Sequence, residues 1–548
     1  VKPRDIPRLL RTVLHYKPVQ LAAQLRHVMV DEGRPGVPRG EAPPLSVETS
    51  HAPFLPAPPH ARFDGEATFE LIRRAHRFED GIDWQFDGHG PLWAFHLHQF
   101  DWARDPALSP EARGRAVENW ITNCERGHGW APHPISLRIL SWGKLRLTPG
   151  LLALSPEVEE RMRASLAQQA ETLSRRIEVR LQANHLLSNL LGVVFAGLLF
   201  EGAGADRWLG FASRLRRELE VQVLPDGSHV ERSPMYHALL LENLLDLLNL
   251  ARAAEGRAPR ALVAALEDAT ARMLGAHEVW IHPDGEIALF SDSAFDIAHP
   301  PAEVARYAAS LGVTPRAPAG GQLEDAGIYR LQDGAFTLIA TTAPPAPSYQ
   351  PGHAHCDALS FELSYGEERV VSDTGVTEYV PGPLRDASRA TTSHATLQFD
   401  GHEQSEIWSA HRVGGRAHCE VVEAGGGELR ARCSPWSRRE IVHERHFRVQ
   451  NGSVAVEDCV SGAAAQALIS LPFGSDVVVV GLDVSAARAQ LELRSGARLE
   501  LELPAGVDWS VARRPWFPRF GEALERDALV GKAAAPVTGR VVFRVATD

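Results

Sequence analysis

The sequence predicts an α+β chain of more than one domain, in which an incomplete α/α toroid is followed by an antiparallel β-sandwich. Three observations predict it. At 548 residues the chain is longer than one hydrophobic core usually sustains, roughly 250–300 residues. Up to about residue 320, apolar residues recur every three or four positions; beyond it the period becomes two. Between the two regimes, residues 312–322 hold two prolines and three glycines, the composition of a boundary. The expected division is 1–90 as a helical or irregular segment, 91–320 as the toroid and 321–548 as the sandwich.

In the first half, residues 151–179, 182–201, 235–255 and 259–274 are rich in Ala, Leu, Arg and Glu with helical spacing. Pro149-Gly150, Pro225-Asp226-Gly227 and Pro283-Asp284-Gly285 punctuate them. Helix pairs joined by such turns build a curved array or toroid. In the second half, residues 358–365, 444–449, 453–458 and 477–480 read as strands, and 490–503 as a hairpin turning at Ser495-Gly496. No helix-length pattern interrupts this half, so sheets packed face to face are expected, with a cleft between the domains.

Composition narrows the function. Net charge is −12 and no basic run is present, which argues against nucleic acid and requires a local basic cleft for any anionic substrate. The five cysteines are odd in number and lack a CxxC pair, so no disulfide framework is expected. The longest apolar run, 190–200, is shorter than the roughly 20 residues that span a bilayer. The first ten residues are basic and mixed, with no secretory apolar core. A bacterial protein is expected, periplasmic or secreted if a signal has been removed and otherwise cytoplasmic. Oligomeric state is not legible.

Four groups of residues carry chemistry. Gly352-His353-Ala354-His355-Cys356-Asp357 would, on a strand, point His353, His355 and Asp357 to one face; Asp373 and His394 follow nearby. Imidazole and carboxylate together suit zinc or manganese, and Cys356 would face away as a small buried residue. Asn184-His185 opens an apolar helix, where Asn is either a cap or a functional amide. Tyr236 falls in the first turn of a Pro-started helix. There it is either a core anchor or a proton carrier whose phenolate the helix end stabilises. Lastly, Trp93, His98, Trp130, Arg138 and Trp142 offer the aromatic faces and guanidinium of a saccharide groove, with ordinary core tryptophan as the alternative.

Asn184-His185-Leu186-Leu187, residues 226–237 (DGSHVERSPMYH), 352–362 (GHAHCDALSFE), Asp373-Thr374-Gly375 and 393–401 (SHATLQFDG) together resemble the heparinase II/III-like polysaccharide lyases, a family that includes heparinases and alginate lyases. The resemblance runs from about residue 91 to the end. It implies β-elimination on a uronic-acid polysaccharide (hyaluronan, chondroitin sulfate, heparan sulfate or alginate), leaving a 4,5-unsaturated uronate. On that pattern Asn184 neutralises the uronate carboxylate, Tyr236 is the leading acid/base with His185 as its partner, and His353 lies in the active site. His355, Asp373 and His394 match the family's metal ligands, usually zinc. Glu231, Arg232, Tyr379 and Arg389 are expected to contact substrate. Two positions depart from the pattern: Ala395 where Asn is frequent, and Cys356 where Ala is frequent in H-A-D. An inverting glycoside hydrolase, which needs two opposed carboxylates, and a non-catalytic polysaccharide-binding protein of an exopolysaccharide pathway are the competing readings.

Overall fold

The computed structural model describes residues 3–27, 42–535 and 537–546. The expected helices are present, with their ends set by local chemistry. Residues 151–179 resolve to Pro156–Arg175, 182–201 to Ala183–Leu199, 235–255 to Pro234–Ala253 and 259–274 to Arg260–Val279. Three helices share one start: proline in the first turn, and a serine (Ser109, Ser155, Ser233) whose hydroxyl accepts the backbone N–H three residues on. That serine satisfies an otherwise orphan donor, and proline loses nothing where its missing N–H would be unpaired. Ala183–Leu199 is buried almost throughout and packs on Pro132–Leu147, Pro156–Arg175 and Pro234–Ala253, so it is the central helix of this half.

The β half is built from a four-stranded sheet (Ile328–Asp333, Phe336–Thr341, Phe361–Tyr365, Glu368–Val371), a second four-stranded sheet and an eight-stranded sheet, all antiparallel. Leu338, Phe361, Phe447 and Leu529 lie in the core between them. The hairpin at Ser495-Gly496 joins Arg488–Glu492 to Arg498–Glu502 with Glu492 opposite Arg498.

Three expectations are corrected. Residues 1–90 include a three-stranded sheet, Ala61–Phe63, Thr68–Leu71 and Arg74–Arg77, as well as helices. Strands this short are too brief to display a period. The sheet is nonetheless anchored, with the rings of Phe63 and Phe69 each 5.0 Å from that of Trp102. The strand expected at 358–365 begins only at Phe361, so His353, His355 and Asp357 lie on a loop. Leu359 there has φ 61°, a left-handed conformation that ends an extended run. A helix, Pro383–Arg389, interrupts the β half; seven residues are too few to show a helical period in the sequence.

The helical core also sets an acid limit. His237 and His277 are buried and stacked, ring centroids 5.6 Å apart. Neither ring nitrogen of His277 has a partner among the described residues, and burial lowers its pKa from 6.5 to about 4. A histidine whose folded pKa is depressed stabilises the fold above its unfolded pKa, and that stabilisation is lost as pH falls. Melting temperature is therefore expected to drop between pH 6.5 and about 4, with His277 contributing on the order of 3 kcal/mol. Thermal melts of wild type and His277→Gln across that range check this. Parallel pH profiles for the two would remove His277 as a cause.

Candidate active site

A cleft of about 490 Å³ opens where the helical half meets the β half, and Asn184, His185, Tyr236, His353 and Tyr379 line it together. Two backbone strains place the first of these. Gln182 and Ala183 have φ 61° and 47°, conformations that L-residues rarely adopt and that recur at functional sites. The helix cap is Gln182, so Asn184 is not the cap but lies inside the first turn. Its backbone N–H donates to Glu231 (3.0 Å), and its side-chain nitrogen donates to both Glu231 oxygens (2.7 and 2.9 Å). Glu231 is buried. Burial works against its charge, but the nearby imidazoles of His353 and His229 and the Asn184 hydrogen bonds hold its pKa below the ordinary value. With one amide hydrogen shared between the two Glu231 oxygens, the amide orientation is fixed, and the second hydrogen is left for the cleft, where the same nitrogen also lies 3.5 Å from His353 Nε2.

Tyr236 stands in the first turn of Pro234–Ala253, its N–H bonded to the Ser233 cap. Its hydroxyl lies 3.0 Å from that of Tyr379, and its ring stacks 4.0 Å from His353. Burial raises its pKa, and the charges of Asp292 and Glu231 add to this. The expected stabilisation of a phenolate by the helix end is therefore outweighed, and Tyr236 stays protonated.

A carboxylate that the sequence reading missed organises the other wall. Asp292 Oδ2 accepts from His353 Nδ1 and Oδ1 from His355 Nε2, each at 2.8 Å, while Arg385 donates to both oxygens. Burial opposes the charge of Asp292, but Arg385 and the two histidine hydrogen bonds outweigh it and hold the pKa well below the usual range. Since an ionised carboxylate only accepts, His353 carries a hydrogen on Nδ1, and its Nε2 faces the cleft 3.5 Å from the Asn184 amide nitrogen.

By the same logic His355 leaves Nδ1 free. That nitrogen and His394 Nε2 are buried with no partner among the described residues. One donor atom from each of His355, Asp373 and His394 lies within 4.8 Å of the others, and all three residues are buried. Two unpartnered imidazole nitrogens beside a carboxylate fit a divalent metal. Asp357 is buried nearby, accepting from the Ser291 N–H, and is not part of this group.

His185, on the toroid wall, points Nδ1 at Glu178 (3.1 Å). Burial disfavours its charge, but the Glu178 carboxylate prevails and raises its pKa. His133 lies beside it, ring centroids 4.5 Å apart.

The tryptophan groove is corrected. Trp93, His98, Trp130, Arg138 and Trp142 are all in the core and none lines the cleft. Trp93 donates to the Arg74 carbonyl and Trp130 to that of Cys124. His98 accepts from Trp120, and Arg138 lies 3.9 Å over the Trp120 ring with its donors spent on Gln169 and two carbonyls. Arg232 and Arg389 likewise bind backbone carbonyls away from the cleft, and Glu231 is an internal anchor for Asn184. Of the nine expected substrate contacts only Tyr379 reaches the cleft. Asp292, Arg385, Glu178 and His133 carried no motif; a lone acid in Phe290-Ser291-Asp292-Ser293 looks like loop polarity until its partners are placed.

Fold and site together define a helical-toroid and β-sandwich protein with a histidine- and tyrosine-lined cleft beside a His/Asp group that could hold a metal. The chain belongs to the heparinase II/III-like family: the heparinase II/III N-terminus matches residues 60–308 and the heparinase II/III-like C-terminal domain residues 315–539. FtsZ-localized protein C of Caulobacter vibrioides is 26% identical over 306 residues, 54% of this chain and 51% of that protein. The heparin-sulfate lyase of Pedobacter heparinus is 27% identical over 299 residues, 50% of this chain and 44% of that protein. The chain thus spans about half the length of these relatives. Among solved structures, heparinase III superposes with a TM-score of 0.68 at 17% identity, covering 86% of this chain and 80% of that one. The heparan sulfate lyase HepC of Pedobacter heparinus gives 0.57 at 21% identity, covering 87% and 80%. Both show the shared fold.

Proposed function

We propose that the protein is a polysaccharide lyase that cleaves uronic-acid polymers by β-elimination. The observation supporting this best is the convergence of Asn184, His185, Tyr236 and His353 on one cleft. In the reaction, His353 Nε2 takes the C5 proton of the uronate. The electron pair forms the C4–C5 double bond as the C4–O bond breaks. Tyr236, held protonated, gives its hydroxyl hydrogen to the departing oxygen and is regenerated from solvent. Asn184 and the charged His185 face the uronate carboxylate and make the C5 proton acidic, as an oxyanion hole does. This moves His185 from partner base to charge neutraliser, because Glu178 favours its protonated form. His355, Asp373 and His394 would hold a divalent metal, zinc being the leading candidate, and it would brace the β-domain wall. Among the described residues no opposed pair of carboxylates lines the cleft, which disfavours the inverting hydrolase.

The lining also bears on substrate. Among the described residues that line it, Arg74 is the one arginine, and it pairs with Glu378 at 3.6 Å; the other basic groups among them are histidines. A heavily sulfated chain needs more fixed positive charge than that. The expected substrates are therefore polyuronates of low sulfation. Incubating purified protein with hyaluronan, chondroitin, alginate, heparan sulfate and heparin, and following ultraviolet absorbance of the unsaturated uronate, checks this. Absorbance is expected to rise most with the unsulfated polymers and least with heparin. A flat trace on every polymer would reject the lyase reading in favour of binding alone, and a preference for heparin would reject the sulfation argument.

A further inference from the structure

We infer that His133, Glu178 and His185 form a second divalent-metal site, on the toroid wall of the cleft and separate from the one in the β half. The three come from different elements: His133 from the first turn of Pro132–Leu147, Glu178 from the loop after Pro156–Arg175, and His185 from the first turn of Ala183–Leu199. One donor atom of each lies within 4.8 Å of the others. His133 Nδ1 is buried and has no hydrogen-bond partner among the described residues. An imidazole nitrogen sequestered without a donor or acceptor is costly unless something occupies it.

The chemistry of the set agrees. Two imidazoles and one carboxylate are the donors of open zinc sites, which keep one position for water or substrate. A dication would displace the proton that His185 and Glu178 share and would take over from the imidazolium the neutralisation of the uronate carboxylate. Glu178 is supported from behind: its backbone N–H donates to Asn189 Oδ1 (2.8 Å), and Asn189 Nδ2 donates to Glu178 Oε2 (3.4 Å) and to Ser136 Oγ (2.9 Å), tying the loop to both helices. Such outer partners fix ligand geometry. His133 and His185 both line the cleft, so the open position faces it. Its ligand there is a carboxylate, and on the proposed reaction that is the uronate of the sugar.

Metal counting tests the site without turnover. Metal-stripped protein is reconstituted with zinc, gel-filtered and analysed for metal. Two equivalents per chain are expected in the wild type, one in His133→Ala and one in His394→Ala. A single equivalent in the wild type, or a second that survives His133→Ala, overturns the site. Glu178→Gln, nearly the same in shape, guards against misfolding and is also expected to hold one equivalent. Cobalt in the His394→Ala protein reports the open position: its visible bands are expected to shift on adding glucuronate. Unshifted bands would overturn the carboxylate assignment. These readouts stand apart from the lyase assay, so an inactive protein that counts two metals rejects the reaction and keeps the site.

Discussion

Tyr236→Phe is expected to lower kcat by about 10²–10⁴-fold, the usual contribution of a positioned general acid, with KM little changed. The substitution removes only the hydroxyl, whose hydrogen-bond partner among the described residues is Tyr379, so the ring keeps its place beside His353. Melting temperature should hold within a degree or two, because a single partly buried hydroxyl pair is worth about 1 kcal/mol. The Tyr379→Phe protein serves as the comparison. It loses the same hydrogen bond but leaves the proton donor in place, and should fall far less. Steady-state kinetics on the best polymer of the panel decide between them. Normal turnover by Tyr236→Phe would remove it as the acid.

Asp292→Asn should damage catalysis, metal retention and stability together. Three groups depend on that one carboxylate: the buried His355 and Arg385, and His353 at the cleft. An amide cannot neutralise Arg385, and an uncompensated buried charge costs about 3–5 kcal/mol. It can also donate, so the His353 tautomer is no longer fixed. Support lost behind a metal-binding histidine typically weakens binding about 10–100-fold. Chemical denaturation, zinc content after dialysis and kcat read these three effects separately. A purely structural role would lower stability while leaving zinc content and kcat intact in the surviving folded protein.

The helices were legible because each runs for two or more turns and repeats its pattern; Ala183–Leu199 and Pro234–Ala253 moved by only one or two residues from their expected ends. The hairpin at Ser495-Gly496 was legible for the same reason in period two. The short sheet at 61–77 and the helix Pro383–Arg389 were not, since a pattern must outlast its own period to be seen. The cleft residues Asn184, His185, Tyr236 and His353 were found through contiguous motifs. Asp292 and Glu178 were not, because each acts on partners 61 and 7 residues away across turns that the sequence does not describe. Tryptophan and arginine misled for the opposite reason. Arg138 sits in the core because Trp120 and three hydrogen-bond acceptors satisfy it there, and no local feature announces such a cage.

The Asp292–Arg385 pair joins residues on opposite sides of the exposed segment 312–322. Asn184, His185, Tyr236 and Asp292 precede that segment, and His353, Tyr379 and Arg385 follow it. Neither half of the polypeptide therefore inherits the whole catalytic set. Split at this segment, the two fragments would be silent alone and regain function only on reassembly, so the chemistry itself would report their docking.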